Sequence, residues 1–385
     1  MQRRLLFFVA AGAVALAACL PVTQPAPPPQ KPPPKPAPKP APPPSPAQPV
    51  SQYCAGSVPS SPGSYQTAVD KLRKTYTEWA SADGSVPVAL PDGRTLWLYG
   101  DTFIGSVNSS GVISTPNVLV ANSAVLQSGN CFKPLMGGSP GARTAWIPAP
   151  AGQAYWPSSA IIDSAGRLQV FLMHVQYNPF KVFGFKIATF SLPGMSLLGL
   201  TSQLSFTSST NPYGTTALVD NGYAYLYSTH DQDQKVARVP LGSVTTRSTY
   251  EFWTGSGWST SSGAAAPLSF GNVPTPVVNI NLHAPIAGLW VVRHGTGFLG
   301  TAKLVNQFSN DVSFFTAPAP EGPWTYVPGP AATTPSGVFS YGAQTVFGLQ
   351  GMPASPATIY STNVPGTATT ITQYGPRFVT PTNTP

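Results

Sequence analysis

The sequence predicts an all-β fold, a five-bladed β-propeller, preceded by a signal peptide and a Pro-rich linker. Three observations carry this prediction. Only 8% of the 385 residues are charged, and 46 Pro and 36 Gly punctuate the chain. Such a composition shows none of the 3.6-residue periodicity on which helical bundles, coiled coils and Rossmann-type enzymes depend. From about residue 81, runs rich in Val, Tyr, Phe, Trp and Leu alternate with Gly, Asn, Asp and Pro clusters. These runs are TLWLYGD (95–101), RLQVFLMHV (167–175), GYAYLYST (222–229), GLWVVRH (288–294) and SGVFSYGAQTVFGL (336–349), and their residue types suit half-buried strands. Finally, an aromatic-plus-small entry motif recurs. It reads Ala82-Asp83-Gly84, Tyr155-Trp156-Pro157-Ser158-Ser159, Pro212-Tyr213-Gly214-Thr215-Thr216, Leu282-His283-Ala284-Pro285 and Tyr341-Gly342-Ala343-Gln344. Units of roughly 65 residues fit five four-stranded blades with long loops. A two-sheet sandwich is the alternative.

Taken in chain order, Met1–Ala18 reads as an address. Arg3 and Arg4 precede an apolar run from Leu5 to Ala17, and Leu16-Ala17-Ala18-Cys19 closes it. The run has the length of a signal-peptide core and is too short to span a bilayer. Its end resembles the lipobox of bacterial lipoproteins, which makes Cys19 the lipidated first residue of the mature chain. Acyl chains contribute about 0.8 kcal/mol per buried CH₂, so a membrane anchor at the bacterial cell envelope is expected. An ordinary secretory signal with a chance Cys is the alternative. Residues 19–50 form a disordered stalk, with 16 prolines between positions 21 and 50. Dense Pro favours polyproline II at about 3.1 Å per residue and excludes a packed core. Residues 51–385 are then the propeller domain. Residues 1–50 carry five basic residues and no acid, whereas residues 51–385 hold 15 Lys/Arg and 12 Asp/Glu. The domain is therefore close to neutral, and no basic stripe marks nucleic-acid binding. With Cys19 acylated, Cys54 and Cys131 remain as a pair in an oxidising compartment, and a structural disulfide between them is expected.

The stretch SADGSVPVALPDGRTLWLYGDTFIG (81–105) carries the chemistry. Pro91-Asp92-Gly93-Arg94 is a hairpin turn signal. Folding about residue 92 brings Asp83 beside Asp101: directly opposite with a three-residue loop, one step off with two. Like charges facing each other destabilise a sheet, so the pairing points to use. Paired carboxylates cleave glycosidic bonds, one protonating the leaving oxygen while the other attacks carbon or activates water. Proximity raises one pKa and creates the acid. A Ca²⁺ site or a solvated strand end with Asx-turn capping is the alternative reading of the pair. Asp83 is assigned here as nucleophile or base and Asp101 as acid.

Residues 82–105 resemble the opening of a bacterial five-bladed β-propeller family of formerly unknown function with a Gly-Asp-Thr-Phe signature, related to the mycobacterial-type endo-D-arabinanases. Looser matches are Val120-Ala121-Asn122-Ser123 with Gln127-Ser128-Gly129, Tyr250-Glu251-Phe252-Trp253 with Gly257-Trp258, and Tyr374-Gly375-Pro376-Arg377-Phe378-Val379. The resemblance implies glycoside hydrolase chemistry with Asp83 and Asp101 as the catalytic pair. It implies the arabinan substrate only weakly.

Trp156, Tyr213 and Tyr341 at blade entries are candidates to stack on sugar faces, and His283 to bind sugar hydroxyls; blade interfaces and buried structural hydrogen bonds are the competing uses. His230, Asp231 and Asp233 form a metal or third-carboxylate candidate, or an exposed turn. Glu251 reads as a strand residue, Arg377 as a ring-closing or ligand-facing cation, and His174 and His294 as core or loop residues. No HExxH, GxSxG or Walker loop occurs. The expected partners are a polysaccharide or glycoconjugate and the membrane, with no nucleic acid, on a monomer. No cofactor is needed, a structural Ca²⁺ being the one ion entertained. The rival function is a non-catalytic carbohydrate-binding or structural lipoprotein on the same fold.

Overall fold

Alternating apolar and polar positions send successive side chains of a strand to opposite faces, and here both faces of most strands are covered. A computed structural model of the chain describes residues 52–114, 118–202, 213–228, 234–273, 286–304, 310–335, 338–364 and 368–383. Five sheets form five blades, antiparallel throughout except where Phe270–Gly271 pairs in parallel with Trp324–Thr333 at the edge of the fourth. Their inner strands are Ser81–Ala89, Gln153–Ile162, Tyr213–Asp220, Ile286–His294 and Phe339–Val346, and successive inner strands lie side by side.

The core is divided among the blade interfaces. Val86, Leu96 and Leu98 of blade 1 pack on Leu168, Val170 and Phe190 of blade 2. Phe171, Phe185 and Ile187 of blade 2 meet Leu226, Val239 and Phe252 of blade 3. Tyr227 and Val236 of blade 3 meet Leu289, Phe315 and Trp324 of blade 4. Leu299 and Phe314 of blade 4 meet Ala343 and Tyr360 of blade 5. The ring closes where Trp97 and Tyr99 of blade 1 pack with Ile359 and Phe378 of blade 5. One strand face thus serves one interface and the other face the next, so the sandwich alternative is set aside.

Two features depart from a regular all-β ring. Among the described residues blade 5 has three strands, the last being Gly375–Val379. An α-helix, α1 (Pro62–Thr75), packs against that edge, and the Gln66 side chain accepts the Phe378 backbone N–H at 3.1 Å. The helix starts at a Ser61–Ser64 capping box with Pro at its first turn and buries Tyr65, Ala68, Val69 and Leu72. That spacing of three and four is helical, so a helical signal was present in a chain that otherwise reads as strands. Tyr53–Cys54 adds an outermost strand to blade 1 opposite Cys131–Leu135. A disulfide joins Cys54 to Cys131 across 77 residues of sequence.

Candidate active site

The hairpin of blade 1 is built as its turn residues dictate. Leu90 N–H donates to the Arg94 carbonyl, and Gly93, at φ +82°, supplies the left-handed turn position. Pairing runs Ala89↔Thr95 to Val86↔Leu98 and resumes at Ala82↔Thr102 and Ser81↔Phe103. All these pairs centre on residue 92. Between them the ladder shifts at Gly84↔Tyr99, where Gly84 and Ser85 take φ +88° and +70°. Asp83 and Asp101 thus face one another across a β-bulge, not across a regular rung, and such bulges re-aim side chains.

The same device recurs in every blade. The inner-strand ladder shifts at Ser158 in blade 2, between Tyr213 and Thr216 in blade 3, between Ala287 and Trp290 in blade 4 and between Tyr341 and Gln344 in blade 5. In four blades the recurring motif of the sequence is this bulge. The fourth motif, Leu282–Pro285, lies outside the described residues, and the shift in that blade falls a few positions later.

Asp83 is held from three sides. Tyr341 Oη donates to Asp83 Oδ2 at 2.8 Å, and the Tyr374 hydroxyl and the Asp101 backbone N–H donate to the same carboxylate. The same Tyr374 hydroxyl lies 2.8 Å from the Asp101 carbonyl, so its single proton is shared between the two acceptors. A Cβ on Gly100 would lie 2.5 Å from Asp83 Oδ1, so only glycine lets the carboxylate rest there. Asp101 is held from the other side. Trp156 Nε1 donates to Asp101 Oδ1 at 2.9 Å, and Tyr177 Oη donates to the same atom at 2.6 Å.

Burial and the neighbouring Asp101 charge push Asp83 up to about 7, against the opposing pull of Tyr341 and Tyr374. Burial also raises Asp101, opposed by its bonds from Tyr177 and Trp156. Burial and the carboxylates raise Tyr177, Tyr341 and Tyr374, so these hydroxyls stay protonated as donors. Burial and the facing Asp101 charge thus favour the protonated form of Asp83.

The other predicted residues are placed as follows. Trp156 and Tyr341 reach the carboxylates as hydrogen-bond donors. Tyr213 does not reach the pair: it is 4% exposed and packs edge-on against Phe252 at the blade 2–3 interface. A ring buried in that way offers no face to a sugar, so its stacking role is withdrawn. His283, His230, Asp231, Asp233 and Cys19 lie outside the described residues. Arg377 donates to the Thr372 carbonyl at 2.7 Å, and Glu251 pairs with Arg238 at 2.8 Å. His174 is buried and bonds Gln153, and His294 stacks on Phe347. Among the described residues no three His, Cys, Asp or Glu side chains are grouped to hold a metal ion, so no Ca²⁺ site is assigned there.

Sequence reasoning missed Tyr177 and Tyr374 as site residues. Tyr374 lay in a noted motif, but only the ring closure brings it to blade 1. Asn122, also in a noted motif, is structural. Its amide donates to the Ile147 and Tyr155 carbonyls and accepts the Ile147 N–H, fixing the start of the strand that presents Trp156.

Fold and site together define a five-bladed β-propeller with a hydrogen-bonded carboxylate pair on its first blade. Residues 66–337 match the family described as "Domain of unknown function (DUF5005)", and the chain belongs to that family. No curated protein matches it. Among solved structures, a candidate hydrolase from Bacteroides ovatus shares the fold at 20% identity, with 81% of this chain and 88% of that chain covered and a TM-score of 0.63. More distant likenesses are the GH43_1 enzyme from Xanthomonas citri complexed with xylotriose (12% identity, 77% and 87% covered, TM-score 0.49) and the exo-beta-1,3-galactanase from Phanerochaete chrysosporium with galactose (12%, 86% and 65%, 0.46).

Proposed function

We propose that the protein is a glycoside hydrolase that cleaves a polysaccharide by a two-carboxylate mechanism. The observation that carries this is the Asp83–Asp101 pair on one bulged hairpin, with phenol and indole donors orienting both side chains. Protonated Asp83 donates its proton to the leaving glycosidic oxygen. Ionised Asp101 attacks the anomeric carbon or takes a proton from the attacking water. This reverses the assignment drawn from sequence. The reason is that burial and the neighbouring Asp101 charge keep the proton on Asp83 in spite of its donors.

An arabinan-like furanosidic polymer is the substrate favoured by the resemblance of residues 82–105. In this reading the chain is exported, acylated at Cys19 and carried by the Pro-rich stalk of residues 19–50 as a monomer at the cell envelope. The Cys54–Cys131 disulfide fits an oxidising compartment.

The test is product release from D- and L-arabinans, xylan and cell-wall polysaccharides by wild type, Asp83→Asn and Asp101→Asn. Oligosaccharides from wild type, lost by about 10³-fold or more in both folded variants, support the reading. Polymer bound but never cut by wild type moves the function to carbohydrate binding. Replacing Cys19 by Ser and recovering the protein from the membrane fraction unchanged would sink the lipid anchor.

A further inference from the structure

The two carboxylates are flanked by matching aromatic pairs on opposite neighbouring blades. On the blade 2 side, Trp156 donates to Asp101, and Phe180 stacks on Trp156 with ring centres 6.0 Å apart and planes 26° apart. On the blade 5 side, Tyr341 donates to Asp83, and Phe339 stacks on Tyr341 at 6.1 Å and 29°. In each pair the inner ring spends its polar edge on a carboxylate and the outer ring carries no polar group. Phe180 is 60% exposed on the short connection between Leu168–Gln176 and Lys181–Ser191, and Tyr177 beside it is 42% exposed. Phe339 is half-buried.

An exposed phenyl ring forfeits apolar burial, and one such residue alone needs no explanation. Here one exposed and one half-buried phenyl ring, each stacked on the ring that orients a reactive carboxylate, form a repeated arrangement. Flat apolar faces on either side of a carboxylate pair match the C–H faces of sugar rings, which pack on aromatic rings while their hydroxyls stay in water. We infer that Phe180 and Phe339 are sugar-stacking platforms, one on each side of the scissile bond, and that the substrate is a glycan chain crossing the pair from blade 5 to blade 2. This rests on the hydrolase reading above. It replaces the stacking role expected for Trp156 and Tyr341 with an orienting one.

The experiment uses calorimetry with linear arabino- and xylo-oligosaccharides of one to six units, on full-length Asp83→Asn as the non-cleaving parent. Wild-type turnover of the corresponding polymers is measured in parallel. Affinity is expected to rise with chain length until both sides are filled. Phe180→Leu and Phe339→Leu are each expected to weaken binding of the longer chains by about three- to tenfold and to raise KM with kcat little changed. Phe180→Tyr and Phe339→Tyr, which keep a flat ring, are expected to restore affinity. Wild-type turnover with affinity indifferent to both Leu variants would overturn the platforms and leave the hydrolase standing. A parent that binds no oligosaccharide of either series, beside a wild type that cuts neither polymer, would overturn both.

Discussion

Asp83 is the most perturbed carboxyl at the site, and its hydrogen bonds decide how far. Tyr341 and Tyr374 stabilise the charged form, so they hold its pKa below what burial and Asp101 alone would impose. Removing the Tyr374 hydroxyl should therefore raise it further. Tyr374→Phe is expected to move the alkaline limb of the pH–rate profile, near pH 7 in wild type, upward by about half a unit to one unit. An unmoved limb would contradict the assignment of Asp83 as proton donor. Gly100 tests the geometry instead of the charge. Its missing Cβ is the space that Asp83 Oδ1 occupies, and a displacement of about 1 Å at a reacting group costs on the order of 100-fold in rate. Gly100→Ala should lose activity to that degree while still folding. Steady-state kinetics beside a circular dichroism spectrum would check this.

Bulged inner strands are the repeating element that makes the site. Each blade breaks its ladder within the inner strand, and in blade 1 the break turns two carboxylates toward one another. The outer elements serve stability. Cys54–Cys131 pins the added strand Tyr53–Cys54 to blade 1 over a 77-residue separation, and chain-entropy reasoning assigns such a closure about 4 kcal/mol. Cys54→Ser is expected to lower the Tm by several degrees without altering turnover at 25 °C. Equal Tm values for wild type and variant in thermal denaturation would show that the strand is held by its ladder alone.

Across the whole ring, folding binds a proton that the unfolded chain releases. The native Asp83 carboxyl titrates at about 7, whereas an unfolded Asp titrates near 3.8. Between those values the native state holds more protons, so the stability due to this group is full below pH 4. It falls as pH rises and is lost above pH 7. Asp83→Asn carries no titrating proton. Its Tm should exceed that of wild type at pH 8, and its stability curve should be flatter between pH 4 and pH 7, as read by thermal melts across that range. A wild-type curve that rises over this range, with no gain in the variant, would mean that Asp83 titrates as an ordinary carboxylate. Ring closure matters to the same group. Tyr374 and Tyr341 belong to the last blade, and they reach Asp83 only because blade 5 and helix α1 close against blade 1.

What the sequence determined by itself was local: strand type from residue choice, the turn at Pro91–Arg94, and a hairpin register centred on residue 92 that brings Asp83 to Asp101. Period-two patterning and a strong turn signal act within about twenty residues, so one chain segment suffices to read them. The repeat of small residues at blade entries was also legible, as was the pairing of two cysteines. The tertiary structure decided which aromatics serve the site. Trp156, Tyr177, Tyr341 and Tyr374 come from 55 to 273 residues away from the aspartates they bond through side chain or backbone, while Tyr213, in a similar motif, turns into a blade interface. An aromatic ring gains from burial against another blade as readily as from facing a ligand. Only the closure of the ring determines which surface each one meets.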